Sequence, residues 1–189
     1  MTSLGYLPWT GVSLPGRTVL GIASAVGVFA MVYPAFVMGQ SPAIALWTNS
    51  ILPLLFVAYG LIDGIDLALA FSAALGQTYA IDVGLLETVE IALLILIVIC
   101  LWAYLGLMST SRVGAKEAVR MLIKGELAFM FWGVVVVVGI TIPLGVGIYG
   151  YVTGGLAIGV SGIIGLLGLI GCLYFKHCIL RAGVYDTLA

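Results

Sequence analysis

Length, composition and charge identify the kind of protein that this chain forms. Of its 189 residues, 63% are hydrophobic and only 8% are charged, and the mean hydropathy is +1.28. A soluble domain carries about 25% charged residues, so these values indicate an integral membrane protein and exclude soluble enzyme folds. The net charge of −1 offers no basic field to nucleic acid. One histidine excludes a haem held by two imidazoles of this chain, and the three cysteines lack the spacing of a metal or iron–sulfur site.

Five apolar runs are long enough to cross a bilayer as α-helices. About 20 residues are needed to span a hydrocarbon core of about 30 Å. The runs are continuously apolar and lack the alternation of β-barrel strands. They predict a multi-pass protein of the cell membrane, an all-α bundle of five transmembrane helices in a single membrane domain, 1–189, with spans at about 17–39, 50–72, 84–108, 126–150 and 156–177.

The cations are distributed unevenly between the two sides that five helices imply. Arg17 is alone on one side. The other side carries four cations in the third connection and two near the C-terminus: Arg112, Lys116, Arg120, Lys124, Lys176 and Arg181. By the positive-inside rule, this bias places the C-terminus and the third connection in the cytoplasm. A docking surface for an acidic partner would produce the same bias without reporting topology.

The fifth run carries glycines at three- and four-residue spacing, among them Gly155, Gly159, Gly162 and Gly165. This spacing removes side chains from one helix face, so that another backbone can approach closely. We expect the glycine face to pack against a neighbouring helix rather than to bind a ligand.

Four carboxylates lie within apolar runs. Asp63 and Asp66 belong to the second run, and Glu87 and Glu90 to the third. The spacing of three residues within each pair places both acids on one helix face. An ionised carboxylate at bilayer depth costs about 2.5–3.5 kcal/mol, and the sequence indicates no lysine or arginine at the depth of these acids. We expect them to be protonated, paired or hydrated and to carry protons; the alternative is that they only hold helices together by hydrogen bonds.

Polar side chains also gather around the end of the first run. Tyr33 lies near that end, beside Pro34, and Trp47 and Asn49 follow in the first connection. A tyrosine hydroxyl with apolar neighbours is suited to hydrogen-bonding the carbonyl of an amphiphile while those neighbours hold its tail, which suits a quinone headgroup. The alternative is an interfacial belt of aromatic residues.

Scattered residues over nearly the whole chain resemble one family. They form three groups in the order of the chain: Tyr33-Pro34, Gly39, Pro42, Trp47-Thr48-Asn49 and Leu52 to Phe56; Phe131-Trp132, Gly139 and Pro143; and Ile179 to Tyr185. Together they resemble the NrfD-type membrane subunit of polysulfide reductase and related complexes, without one diagnostic motif.

The resemblance implies a cofactor and partners. A subunit of this type binds menaquinone or ubiquinone and exchanges electrons with a ferredoxin-like iron–sulfur subunit, which serves a molybdopterin-type catalytic subunit. The resemblance also implies that the membrane subunit has no intrinsic haem or iron–sulfur cluster. In the family, a tyrosine at the position of Tyr33 lies beside the quinone, although Ala35 stands where the family often has glycine.

The chain departs from the family in two respects. Members usually have eight helices, and the matching region is their last five, so another membrane subunit is expected to supply the missing helices. In the prototype the quinone end faces the periplasm, whereas the distribution of cations places Tyr33 at the cytoplasmic face. Either the peripheral subunits are cytoplasmic in this system, or the third connection is a docking surface.

The leading hypothesis is a quinone-interacting membrane anchor subunit of a multi-subunit respiratory oxidoreductase. Tyr33, Trp47 and Asn49 would form the quinone pocket, and the four carboxylates would carry protons between the pocket and the other face. The same acids would also serve a small proton-coupled transporter or half-transporter. The spans show no self-similarity of the kind found in inverted repeats, which counts against a transporter. A passive anchor is the third hypothesis.

Overall fold

The fold is built from long helices. A computed structural model describes residues 14–41, 43–75 and 82–184. These residues form α1 (Leu14–Gly39), a 3₁₀ turn (Ala45–Trp47), α2 (Ile51–Leu75), α3 (Val83–Thr110), α4 (Val113–Ile123), a π-helix (Met130–Thr141) that continues into α5 (Ile142–Thr153), and α6 (Ile158–Arg181). Among the described residues, five stretches are long and apolar enough to cross a membrane, the fourth being the π-helix with α5. The predicted all-α bundle of five membrane helices is therefore confirmed. Pro42 and Tyr185, which contribute to the resemblance, lie outside the described residues.

The helix ends meet at two faces of the bundle. At one face, the Tyr104 hydroxyl near the end of α3 donates a 2.6 Å hydrogen bond to the Leu46 carbonyl of the 3₁₀ turn. At the other face, the Ser161 hydroxyl near the start of α6 donates a hydrogen bond to Glu87 near the start of α3. We call the first the basic face, because the cations of residues 112–124 lie beside it, and the second the opposite face.

The third connection is largely helical. The sequence predicted a basic connection over 109–125, and most of it forms α4. Ala115, Ala118 and Leu122 are buried at spacings of three and four residues, whereas Lys116 and Arg120 are exposed. An amphipathic helix of this length is too short to span a bilayer, so α4 lies along the basic face.

The fourth span changes its helical geometry beside a proline. The π-helix ends at Thr141, and Pro143 lies at the start of α5. Since proline has no backbone N–H, the preceding turn loses a donor, and the hydrogen-bond pattern changes there. The Thr141 hydroxyl donates a 2.9 Å hydrogen bond to the Val136 carbonyl and satisfies one acceptor of this segment.

Helix α6 packs between α2 and the π-helix, whereas α1 is peripheral. At the crossing of α6 with the π-helix, Gly171 and Gly139 face each other so closely that neither position has room for a Cβ atom. Helix α1 packs mainly against α2 and is exposed over most of its surface. The peripheral position of α1 leaves a deep groove on one side of the bundle.

Candidate functional site

A groove with a volume of about 680 Å³ lies between α1, α2 and α6. We call it the α1–α2–α6 groove. It runs from Gly27 and Leu67, in the middle of their helices, to Met38 and Leu180 at the basic face. Its walls are mostly apolar, with three polar exceptions: Tyr33, Asp63 and Lys176. The structure therefore brings Tyr33 and Asp63, two of the predicted site residues, into one lipid-facing cavity.

An ion pair forms the polar part of this groove. Lys176 Nζ donates a 2.6 Å hydrogen bond to Asp63 Oδ2, and both side chains are partly exposed to the groove. The sequence predicted no lysine or arginine at the depth of the carboxylates, and for Asp63 this prediction is wrong. Lys176 was counted with the C-terminal charges, but it belongs to α6. Because it is held inside the bundle, it also says little about orientation.

Asp66 lies behind the ion pair, in the interior of the bundle. Its side chain is completely buried, and neither carboxylate oxygen has a hydrogen-bond partner among the described residues. The carboxylate rests directly on Gly168, where an added Cβ would overlap Oδ2, and Gly165 faces the Asp66 backbone carbonyl. A carboxylate in this position is stable only as the neutral acid or with water at its oxygens.

Glu90 and Glu87 continue the series of acids towards the opposite face. Glu90 is buried, and its Oε1 has no hydrogen-bond partner among the described residues. Glu87 is also buried and accepts a 2.5 Å hydrogen bond from the Ser161 hydroxyl. The order from the groove inward is thus Asp63, Asp66, Glu90 and Glu87.

A cleft at the opposite face reaches the last of these acids. Its volume is about 170 Å³, and Glu87, Thr88 and Tyr151 line it together with several glycines. Gly155, which was expected on the packing face of the fifth span, precedes α6 and lines this cleft instead, with a φ of 125°. The absence of side chains at the glycines leaves room for water beside Glu87.

Trp47 and Asn49 do not line the groove. The Trp47 indole N–H donates a 3.2 Å hydrogen bond to the Ile179 carbonyl at the end of α6, and its ring rests on Gly183. Asn49 Oδ1 accepts a 2.8 Å hydrogen bond from the backbone N–H of Ile51 at the start of α2. Both side chains therefore satisfy backbone groups at helix ends, and neither lines the α1–α2–α6 groove.

The glycines of α6 do not all have the same role. Gly162 and Gly165 lie against Ala73 and Asp66 of α2, so close that a Cβ would collide at either position. Gly159 has no atom within 4 Å of an added Cβ. Among the described residues, close helix packing therefore involves Gly162 and Gly165, and no such contact is seen at Gly159 or Gly155.

Lys176 is the site residue that sequence reasoning missed. A signal was present, since Lys176 lies within the predicted fifth span, 156–177, rather than beyond it. A lysine inside a membrane span generally has an acidic partner nearby. Its pairing with Asp63, rather than with Asp66, depends on how α2 and α6 are rotated against each other, which neither helix reveals alone.

Comparison with known families accounts for most of the chain. The family model described as polysulphide reductase, NrfD, matches residues 11–187. No curated protein and no solved structure matches the chain. Because the family match covers nearly the full length, the chain belongs to the NrfD family.

Proposed function

We propose that this protein is the quinone-interacting membrane subunit of a multi-subunit respiratory oxidoreductase and that the α1–α2–α6 groove is its quinone site. Membership of the NrfD family supports a membrane subunit of a quinone-linked reductase complex. The observation that carries the assignment of the site is the Asp63–Lys176 ion pair in the wall of an otherwise apolar, lipid-facing groove.

The depth of the ion pair selects the class of ligand. Asp63 follows Ile51, the first residue of α2, by twelve residues, which corresponds to about 18 Å along the helix at 1.5 Å per residue. Phospholipid headgroups remain outside the hydrocarbon core, which is about 30 Å thick. A ligand that reaches Asp63 must therefore carry a polar head that is soluble in hydrocarbon. A quinone ring with two carbonyl oxygens and an isoprenoid tail fits this requirement and the apolar walls.

Each polar residue of the groove has a chemical task. The Lys176 ammonium has donors besides the one bound to Asp63, and the Tyr33 hydroxyl is a further donor, so both can hydrogen-bond a carbonyl oxygen. A quinone supplies the chemistry of two electrons and two protons. Asp63 is the carboxylate nearest the ligand, and Asp66, Glu90 and Glu87 form the route by which protons pass between Asp63 and the opposite face.

Electrons are exchanged with an iron–sulfur partner subunit that serves a molybdopterin-type catalytic subunit. The groove extends to the basic face at Met38 and Leu180, so a subunit docked there lies beside its mouth. Tyr33 lies six residues before the end of α1, about 9 Å from that face. The exposed surface of α1 accommodates the additional membrane helices that family members usually contain.

The test is kinetic, on the intact complex. Tyr33→Phe and Lys176→Met are each expected to reduce quinone turnover about tenfold or more, while the dye-linked activity of the catalytic subunit is retained. Tyr149→Phe is the matched control, because Tyr149 is an exposed tyrosine at the end of the fourth span and lies outside the groove. Unchanged quinone turnover in both groove variants would refute the site. Purification of the chain without iron or molybdenum would refute the function.

A further inference from the structure

A second apolar groove lies between α3 and the fourth span. It consists of two adjoining cavities of about 320 and 200 Å³, which share Trp102, Leu105 and Trp132. It runs from Leu144 in α5 to Ser109 and Ile123 at the basic face. We call it the tryptophan groove. It shares no lining residue with the α1–α2–α6 groove, so it is a separate feature of the surface.

The walls of the tryptophan groove suit a hydrocarbon chain. Trp102 is 78% exposed and Trp132 is 46% exposed, so a large aromatic surface remains open along the groove. The Trp132 indole N–H donates a 3.2 Å hydrogen bond to the Ile123 carbonyl, which fixes this ring at the mouth. Within the bilayer, the walls of such a groove hold an alkyl chain by dispersion contacts.

Three of the polar side chains that line the groove already form hydrogen bonds. The Ser109 hydroxyl donates to the Gly106 carbonyl at 2.7 Å, and the Thr141 hydroxyl donates to the Val136 carbonyl. The Trp132 N–H is bound to the carbonyl of Ile123. A quinone headgroup inside this groove would find one donor without a partner among the described residues, the Trp102 indole N–H, whereas the α1–α2–α6 groove offers an ammonium and a hydroxyl.

The mouth of the groove lies in a region of positive charge. Lys124 follows Ile123 directly, and Arg112 follows Ser109 by three residues. Both cations are exposed, and neither forms an ion pair with any residue in the described part of the chain. Of the neighbouring cations, Arg120 is 3.7 Å from Glu117. The segment 112–126 contains four cations against two carboxylates and so carries a net positive charge, and Lys124 lines a neighbouring cavity together with both carboxylates, Glu117 and Glu126.

We propose that the tryptophan groove is a binding site for an anionic phospholipid. One acyl chain lies along Trp102 and Trp132, and Lys124 and Arg112 bind the phosphate at the mouth. Because the mouth lies where α3 and α4 end, a phosphate there stays at the level of the lipid headgroups while its chain follows the groove into the hydrocarbon. Cations at this level favour anionic over neutral lipids, and each contributes about a fivefold preference at moderate ionic strength.

Quenching of tryptophan fluorescence by lipids with brominated chains tests the proposal. The purified complex is titrated with brominated phosphatidylglycerol and, separately, with brominated phosphatidylcholine. We expect phosphatidylglycerol to quench at a concentration about tenfold lower or more, and the preference to decrease as salt screens the cations. Trp102→Phe identifies the quenched fluorophore, because it should remove most of the lipid-dependent signal.

Two pairs of variants separate the headgroup from the chain. Arg112→Gln combined with Lys124→Gln should abolish the preference for phosphatidylglycerol, whereas Arg17→Gln, near the start of α1, should leave it unchanged. Gly106→Leu fills the groove and should prevent quenching by both lipids, because nothing lies within 4 Å of a Cβ at Gly106 to displace the new side chain. Gly145→Leu is its control, at an equally open glycine outside the groove.

Four results would overturn the proposal. The first is equal quenching by the two lipids in the unaltered complex, and the second is a preference for phosphatidylglycerol that survives the double substitution. The third is relief of the quenching by an added quinone analogue. The fourth is loss of a protein subunit from the complex when the two cations are removed. The third result would make the groove a quinone site. The fourth would make the basic surface a protein interface.

Discussion

The ion pair between Asp63 and Lys176 can be removed one charge at a time. The two side chains are joined by a 2.6 Å hydrogen bond, and they belong to different helices, α2 and α6. We therefore expect Lys176→Met and Asp63→Asn to destabilise the bundle individually, and the double variant to recover most of the loss. The pair thus allows a double-mutant cycle formed by the unaltered protein, the two single variants and the double variant.

The two single substitutions should differ in cost. Lys176→Met leaves a carboxylate without a partner on a short side chain that cannot leave the groove, and an unpaired charge of this kind costs about 3 kcal/mol. Asp63→Asn leaves an ammonium on a long side chain, five residues from the end of α6. Because that end lies only about 7.5 Å away, the lysine can extend towards the basic face, and the expected cost is about 1–2 kcal/mol. The double variant leaves no charge, so we expect it to cost less than about 1 kcal/mol.

The assay is unfolding of the detergent-solubilised chain by titration with sodium dodecyl sulfate, followed by helical circular dichroism. The expected coupling between the two substitutions is about 3 kcal/mol, far outside the error of such a titration. Glu117→Gln combined with Arg120→Gln is the control cycle, because that pair is exposed and its atoms are 3.7 Å apart; it should give less than about 0.5 kcal/mol. Additive losses at Asp63 and Lys176 would mean that the two charges do not stabilise each other.

Three further predictions use the same bundle. Gly165→Ala should lower the free energy of unfolding by about 1–3 kcal/mol, because its Cβ would lie 2.6 Å from the Asp66 carbonyl oxygen. Gly159→Ala is the control and should not lower it. Equal effects of the two substitutions in the unfolding titration would contradict this packing. Trp47→Phe should lower the free energy of unfolding by about 1 kcal/mol, because the hydrogen bond to Ile179 is lost, and should leave the KM for quinone unchanged. A several-fold rise in KM would instead indicate that Trp47 contacts the quinone. Asp66 should react with a hydrophobic carbodiimide, as detected by mass spectrometry, and Asp66→Asn should remove the label and slow quinone turnover without weakening quinone binding.

The membrane spans were predictable because their signal is carried by consecutive residues. A helix that crosses a bilayer needs only length and apolar composition, and both are visible in one window of the sequence. The spacing of Gly162 and Gly165 likewise predicted a packing face, because both glycines lie on the same side of one helix. For such features a single helix contains all the information.

The features that sequence reasoning missed depend on relations between helices. The Asp63–Lys176 pair requires that α2 and α6 be neighbours in a particular rotation. The hydrogen bond from the Trp47 indole to the carbonyl of Ile179 joins residues that are 132 positions apart in the chain. Neither contact can be predicted from the local pattern of apolar and polar residues.

The glycines of α6 and the buried acid of α2 belong to one feature. Glycines at three-residue spacing are usually explained by the close approach of two backbones, and Gly165 fits that explanation. Gly168 has another role, because an added Cβ there would overlap the Asp66 carboxylate itself. The missing side chain makes room for a carboxyl group in the interior, where a larger residue would force it out towards lipid. The position of a proton-binding group within the membrane thus depends on a glycine of the neighbouring helix as much as on the aspartate.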